Sequence, residues 1–290
     1  MIQLIATDMD GTLLNDQKKV STENIKAIKA AQNEGIEVVV ATGRSKEEAQ
    51  EPLDEAGLTC PIISINGAET WDAAGNVADV KPLPYEEAMK AMKLLREHAI
   101  YFELYLQSGT YSESKEQAMD VIVQLMESIK GAVGTQIEMQ RMANKRIQNG
   151  SISFVDQFET VLTDSSDAIL KLLAFSTNLV ILDQVEEELK ENPYLAVTAS
   201  ARGNLEINAI DAQKGIALQA YAKQAGIPME SVMALGDNLN DLSMMKVAGY
   251  PVAMGNAAYE VKQLCTYQTD TNDEHGVANA IYTYTNLKKA

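Results

Sequence analysis

The chain has 290 residues and a mass of 31.6 kDa, enough for one large or two modest domains around an extended core that needs no staples. Apolar residues at 46% and charged residues at 22% exclude global disorder, a collagen repeat and a coiled-coil rod. A formal net charge of −17 repels nucleic-acid phosphates and anionic lipid, so neither nucleic acid nor membrane is expected as a partner.

Cys60 and Cys265 stand apart with no CxxC spacing, which argues against a disulfide framework and against structural zinc. No apolar stretch approaches the roughly 18 residues of a membrane span. The start, Met1 to Asp8, lacks the basic segment of a secretory leader. These features set the expectation of a reduced, cytoplasmic protein, a monomer or weak dimer.

In chain order, Ile2–Ala6 reads as a buried strand that runs into an acidic turn. Ser21 or Thr22 caps a helix with Ile25, Ile28 and Ala31 on one face and Gly35 as its stop. Glu37–Ala41 is a β-branched strand, Ser45–Ala56 a helix stopped at Gly57, and Pro61–Ile65 a third strand ending at Asn66-Gly67. This alternation predicts a parallel sheet with right-handed crossovers. After Trp71 the rhythm changes to a helix from Tyr85 to His98, a strand at Tyr101–Leu106 and an antiparallel pattern up to Leu205–Asn208. It then returns: helix Lys214–Ala225, strand Ser231–Leu235, a helix from Leu239, strand Pro251–Met254 and a terminal helix from Gly276. The expected architecture is a doubly wound α/β core from residues 1–82 and 209–290, with an α+β domain inserted at residues 83–208. Met119, Met126, Met139, Met142, Met233, Met244 and Met245 read as adaptable core packing.

Asp8-Met9-Asp10-Gly11-Thr12 falls at the carboxyl end of the first strand, where open α/β sheets bind ligands. Two acids this close repel unless a cation lies between them or one holds a proton. Magnesium suits a few carboxylate oxygens completed by water and phosphate; a plain strand-end turn using Asp and Gly is the alternative. Gly236-Asp237-Asn238-Leu239-Asn240-Asp241 repeats this placement after a later strand, with a solvated helix cap as its alternative. Thr42-Gly43-Arg44 offers a hydroxyl, a backbone N–H and a guanidinium before a helix start, which suits an anion, with a plain N-cap turn as its alternative. Lys214 opens a helix against the helix dipole, so capping preference does not explain it, with an ordinary surface lysine as the alternative.

In this order the four elements resemble the motifs of the haloacid dehalogenase superfamily of phosphotransferases. Asn66-Gly67-Ala68, Lys214-Gly215-Ile216-Ala217-Leu218, Met254-Gly255-Asn256-Ala257 and His275-Gly276-Val277-Ala278 are similar to its Cof-type branch, whose C2 cap is inserted between the second and third motifs. The resemblance implies a Mg²⁺-dependent phosphatase of small metabolites such as sugar phosphates, pyridoxal phosphate or flavin-precursor phosphates. It implies Asp8 as nucleophile and Asp10 as general acid and base. Mg²⁺ would lie on Asp8, the Asp10 carbonyl and Asp237, with Asp241 behind, and the phosphate on the Met9 N–H, Thr42, Gly43, Lys214 and Asn240. Arg44, Asn66, Arg202 and Asn204 are the candidates for contact with the rest of the substrate. A phosphomutase and a phosphoaspartate receiver or binding module are the rival readings.

Overall fold

A computed structural model describes residues 1–128, 152–163, 166–200, 202–285 and 287–288. The chain divides into two compact units: Met1–Lys81 with Asp211–Ala290, and Pro82–Ile210. Among the described residues no helix is long and apolar enough to cross a membrane.

The first unit is built on an eight-stranded sheet. Its strands are β1 (Leu4–Thr7), β2 (Glu37–Ala41), β3 (Ile62–Ser64), β4 (Glu69–Trp71) and β5 (Val77–Val80), then β12 (Val232–Gly236), β13 (Tyr250–Ala253) and β14 (Tyr267–Gln268). In the order β14-β13-β12-β1-β2-β3-β4-β5, the first six strands are parallel, and β4 and β5 run antiparallel at one edge. β1 pairs with β2 on one side and β12 on the other, so the chain leaves β1 in opposite directions along the sheet. That reversal is the switch point at which a crevice opens outside the strands' carboxyl ends.

Both flanks of this sheet carry helices, so its central strands are apolar throughout rather than alternating. All four residues of β1 and the Val38–Ala41 run of β2 are buried. Ser21 caps α1 (Thr22–Asn33) by accepting from the Asn24 N–H, and Gly35 follows with φ +78°. Ser45 and Glu48 form a reciprocal capping box on α2 (Lys46–Ala56), which ends at left-handed Gly57. Met233, Met244 and Met245 are in the core; Met139, Met142 and the side chain of Met126 lie outside the described residues.

Chain alternation did not reveal the β4–β5 hairpin or β14. These strands are two to four residues long, too short for a period-two pattern to stand out. The expected helix from Leu239 is a 3₁₀ turn, Leu239–Asp241, running into a separate short helix.

The second unit holds a six-stranded sheet in the order β10-β11-β9-β6-β7-β8. These strands are β6 (Tyr101–Leu106), β7 (Gly109–Ser112), β8 (Ser153–Phe154), β9 (Ile169–Phe175), β10 (Leu195–Thr198) and β11 (Asn204–Ala209). All neighbours are antiparallel except β7 and β8. Helices α3 (Tyr85–Glu97), α4 (Lys115–Ser128) and α5 (Leu179–Lys190) pack on this sheet.

Candidate active site

The Asp8 N–H donates to Leu235 O at 2.9 Å, extending the β1–β12 ladder by one bond before the chain turns away. Gly11 makes the turn with φ +75°, and a Cβ there would lie 2.4 Å from Asp237 Oδ2. Only glycine satisfies both the left-handed backbone and that approach. Thr12 Oγ1 donates to Asp237 Oδ1 at 2.9 Å, so Gly11 and Thr12 both serve a carboxylate delivered by β12.

Lys214 is the first residue of α6 (Lys214–Gln224) and is fully buried. Gly215 allows this, because a Cβ there would meet Ser243 O at 2.2 Å beside α7 (Leu242–Val247). Lys214 Nζ donates to Asp8 Oδ1 at 2.6 Å and to Asp241 Oδ1 at 2.7 Å. The other Asp241 oxygen accepts from the Asp237 and Asn238 N–H groups, each at 2.9 Å. The helix-opening lysine thus answers to two carboxylates from β1 and β12 rather than to the dipole of its own helix.

Ligand oxygens of Asp8, Asp237 and Asp241 all lie within 4.8 Å of one another. Burial pushes the Asp8 carboxyl well above the ordinary carboxylate range; Asp241 and Asp237 add to this and Lys214 opposes it. Burial and then Asp241 raise Asp237 to about 6, against the Thr12 bond. A hard divalent cation among these oxygens would relieve the repulsion that raises both, and the all-oxygen donor set fits Mg²⁺.

This geometry carries a pH prediction. A raised acid pKa means that the folded chain holds the proton more tightly than the unfolded chain. The resulting stability is complete below the ordinary value of 3.8 and is lost as pH rises through about 6. Metal-free protein is therefore expected to melt higher at pH 5 than at pH 7.5. Asp237→Asn should flatten that slope and raise the metal-free Tm at pH 7.5 by about 2–4 °C, on the order of 1 kcal/mol. It should also abolish the Tm gain on adding Mg²⁺. An unchanged slope in thermal melts would contradict the cluster's electrostatics.

Asp10 lies outside this three-carboxylate group. Arg44 grips it bidentately, Nε to Oδ2 at 2.6 Å and Nη2 to Oδ1 at 2.8 Å, and Lys18 Nζ adds a bond at 2.8 Å. Burial pushes the Asp10 carboxyl up, but the Arg44 bonds and charge, with Lys18, hold it well below the usual range. The Arg44 guanidinium, a candidate for contact with the rest of the substrate, is turned to Asp10 and to the Glu48 carbonyl.

Thr42 is buried, its Oγ1 accepting from the Arg44 N–H at 3.2 Å, and Gly43 beside it is half-buried. Met9 is buried, and Asn240 Nδ2 donates to Asn66 Oδ1 at 3.3 Å. Arg202 and Asn204 belong to the second unit. Arg202 is exposed in the turn before β11, while Asn204 is buried with its Nδ2 on Ser200 Oγ at 2.9 Å. Sequence reasoning missed Lys18, which carries no spacing signal, and Asn256, whose Nδ2 donates to Gly11 O at 2.7 Å. The Met254–Ala257 motif was the available sign of Asn256.

A family profile described as haloacid dehalogenase-like hydrolase matches residues 5–281. The chain is 33% identical over 280 residues to phosphatase YwpJ of Bacillus subtilis, covering 96% of this chain and 98% of that protein. It is 36% identical over 279 residues to the 5-amino-6-(5-phospho-D-ribitylamino)uracil phosphatase YwtE of the same organism, covering 96% of each. A solved haloacid dehalogenase-like hydrolase from B. subtilis superposes with a TM-score of 0.89 at 31% identity, over 98% of this chain and 100% of that one. With acid-tipped strands at the switch point and a match along nearly its whole length, the chain belongs to the Cof-type haloacid dehalogenase-like hydrolases and is an enzyme of that family.

Proposed function

We propose that the protein is a Mg²⁺-dependent phosphatase of small phosphorylated metabolites that works through an aspartyl-phosphate on Asp8. The observation that carries this reading is the Asp8 carboxylate at the tip of β1, held by buried Lys214 and facing the acids of β12. Relatives named as phosphatases, one for a ribitylaminouracil phosphate, support it. Sugar phosphates and phosphorylated cofactors or their precursors are the proposed substrates. The inserted unit is the proposed C2-type cap. The buried free thiols Cys60 and Cys265 fit a reducing compartment, the cytoplasm.

In the first step an Asp8 oxygen attacks phosphorus, the ester bond breaks, and Asp10 gives a proton to the leaving oxygen. In the second, Asp10 takes a proton from water as that water attacks phosphorus; the Asp8–phosphorus bond breaks and inorganic phosphate leaves. The grip of Arg44 and Lys18 holds Asp10 in the anionic form that the second step uses. The first step draws on the protonated form of Asp10, which the proton taken from water in the second step regenerates. Lys214 offers its ammonium to the transferring group, along with the N–H groups of Met9 and Gly43, the Thr42 hydroxyl and Asn240. When bound on Asp8, Asp237 and the Asp10 carbonyl, with Asp241 behind them, Mg²⁺ supplies charge neutralisation. This local cradle lets a chain of net charge −17 accept an anion.

The test is phosphate release from a panel of phosphomonoesters. Mg²⁺ should support turnover, EDTA should abolish it, and Ca²⁺ should restore it poorly because it takes more ligands at longer distances. An isomerised product without phosphate release would favour a mutase. Full activity in EDTA would overturn the proposal.

A further inference from the structure

The turn that leaves β1 is held from two sides. On one side the Leu14 N–H donates to Met9 O at 2.9 Å and the Leu13 N–H to Asp8 O at 3.3 Å, which closes the loop around Asp10. On the other side three carbonyls of the same loop accept from asparagine amides. Asn256 Nδ2 donates to Gly11 O at 2.7 Å, Asn24 Nδ2 to Leu13 O at 3.2 Å, and Asn272 Nδ2 to Leu14 O at 3.0 Å.

Two of these amides are themselves oriented by backbone donors. Asn24 lies in the first turn of α1, and its Oδ1 accepts the Ala278 N–H at 2.9 Å. That N–H is one of the first-turn donors that the terminal helix, Gly276–Tyr284, cannot satisfy within itself, and the His275 side chain does not cap that helix. Asn256 follows β13, and its Oδ1 accepts the Asn272 N–H at 3.0 Å. In both cases a backbone donor takes the oxygen end, so the nitrogen end is the one left to face the loop. The Met254–Ala257 and His275–Ala278 motifs thus converge on the residues that follow the nucleophile strand.

Burial separates the three bonds. Asn24 and Asn272 are buried, as are Leu13 and Leu14. A carbonyl without a partner there would cost stability, so the fold alone accounts for these two bonds. Asn256 differs: it is exposed and Gly11 is half-buried, so water can satisfy both groups. What a direct 2.7 Å bond adds at that place is a fixed direction for the Gly11 peptide. Asp10, gripped by Arg44 and Lys18, precedes this peptide, and Thr12, which donates to Asp237, follows it.

We infer that Asn256 is a positioning residue for the reaction: it fixes the Gly11 peptide, and through it the Asp10 carboxylate and the Thr12 hydroxyl. The inference rests on the phosphatase reading above. The groups proposed to contact the phosphate, on Met9, Thr42, Gly43, Lys214 and Asn240, lie outside Gly11–Leu14. Loss of Asn256 therefore acts on the proton transfers of Asp10 and spares binding of the ground state, which lowers kcat and leaves KM.

The test uses the full chain with saturating Mg²⁺ and p-nitrophenyl phosphate. Asn256→Asp keeps the size and the acceptor for the Asn272 N–H but loses the donor to Gly11 O; Asn256→Ala loses both. Each should lower kcat about thirtyfold with KM within about twofold, given how steeply rate depends on small misplacements. The Tm should stay within about 5 °C of the parent, since one exposed hydrogen bond contributes little. Hydrogen–deuterium exchange in residues 10–15 should quicken about tenfold as the loop opens more often. Asn279→Ala is the control. Its amide donates to Asp270 Oδ2 at 2.7 Å and to Glu274 O at 3.1 Å in the same C-terminal segment, so its loss should change neither kcat nor exchange in residues 10–15.

A kcat within threefold of the parent in both variants, a KM that rises as far as kcat falls, or unchanged exchange in residues 10–15 would overturn the inference. So would a Tm loss beyond about 5 °C in both variants, which would make Asn256 a residue of the fold. Absence of p-nitrophenyl phosphate turnover by the parent would overturn the phosphatase reading instead. Exchange in residues 10–15 then decides by itself whether Asn256 holds the loop.

Discussion

Asp8→Asn is expected to lower phosphate release by about four decades or more while the chain still folds, because groups that act as one unit fail together. The amide nitrogen that replaces one carboxylate oxygen is neither a competent nucleophile nor a good ligand for a hard cation. It also removes the negative charge from one of the two acceptors of Lys214 Nζ, leaving Asp241 as the charged one of that pair. Folding should survive, since burial raises the Asp8 pKa and the carboxylate charge is thus not a source of stability. The variant should give a native circular-dichroism spectrum and fail to form an acid-stable phosphoenzyme. Turnover within tenfold of the parent would remove Asp8 from the reaction.

Much of this site was legible because its parts follow strands. Asp8 and Asp237 each come just past a buried β-branched or aliphatic run, and in a parallel sheet such positions converge whatever their separation in sequence. Lys214 showed itself by conflict, as a cation where the helix dipole disfavours one. Side-chain commitments were not legible. Nothing in the spacing of Asp10, Lys18 and Arg44 says that two cations converge on one carboxylate, because that depends on the direction of the Leu14–Val20 turn and on side-chain rotamers. Likewise, the link from Asn256 to Gly11 joins residues 245 positions apart through loops without periodic pattern. In the second unit the strands were partly visible, but which face each residue takes depends on register, and register emerges only on pairing.

Lys214→Met tests whether the cluster holds together by charge or by shape. Methionine nearly fills the lysine's volume, so packing is largely kept and the lost element is the ammonium between Asp8 Oδ1 and Asp241 Oδ1. Removing one partner of a fully buried pair leaves an uncompensated charge, which typically costs about 3–5 kcal/mol; at this chain length that is a fall in Tm of roughly ten degrees. Phosphate release should drop by about three decades, because the group proposed to position the nucleophile and to meet the transferring phosphoryl is gone. The pH dependence separates charge from shape. Without the ammonium, the influence that lowers the Asp8 pKa disappears, so Asp8 is raised still further in the folded chain. A raised carboxyl stabilises the fold at low pH and loses that contribution as pH rises, so the Tm deficit should be larger at pH 8 than at pH 5. Adding Asp241→Asn to Lys214→Met removes one of the stranded carboxylates, and it should recover most of the lost Tm while leaving activity absent. A deficit independent of pH, with no recovery in the double variant, would mean that Lys214 acts through packing and that the buried charges are not coupled as the 2.6 and 2.7 Å contacts indicate.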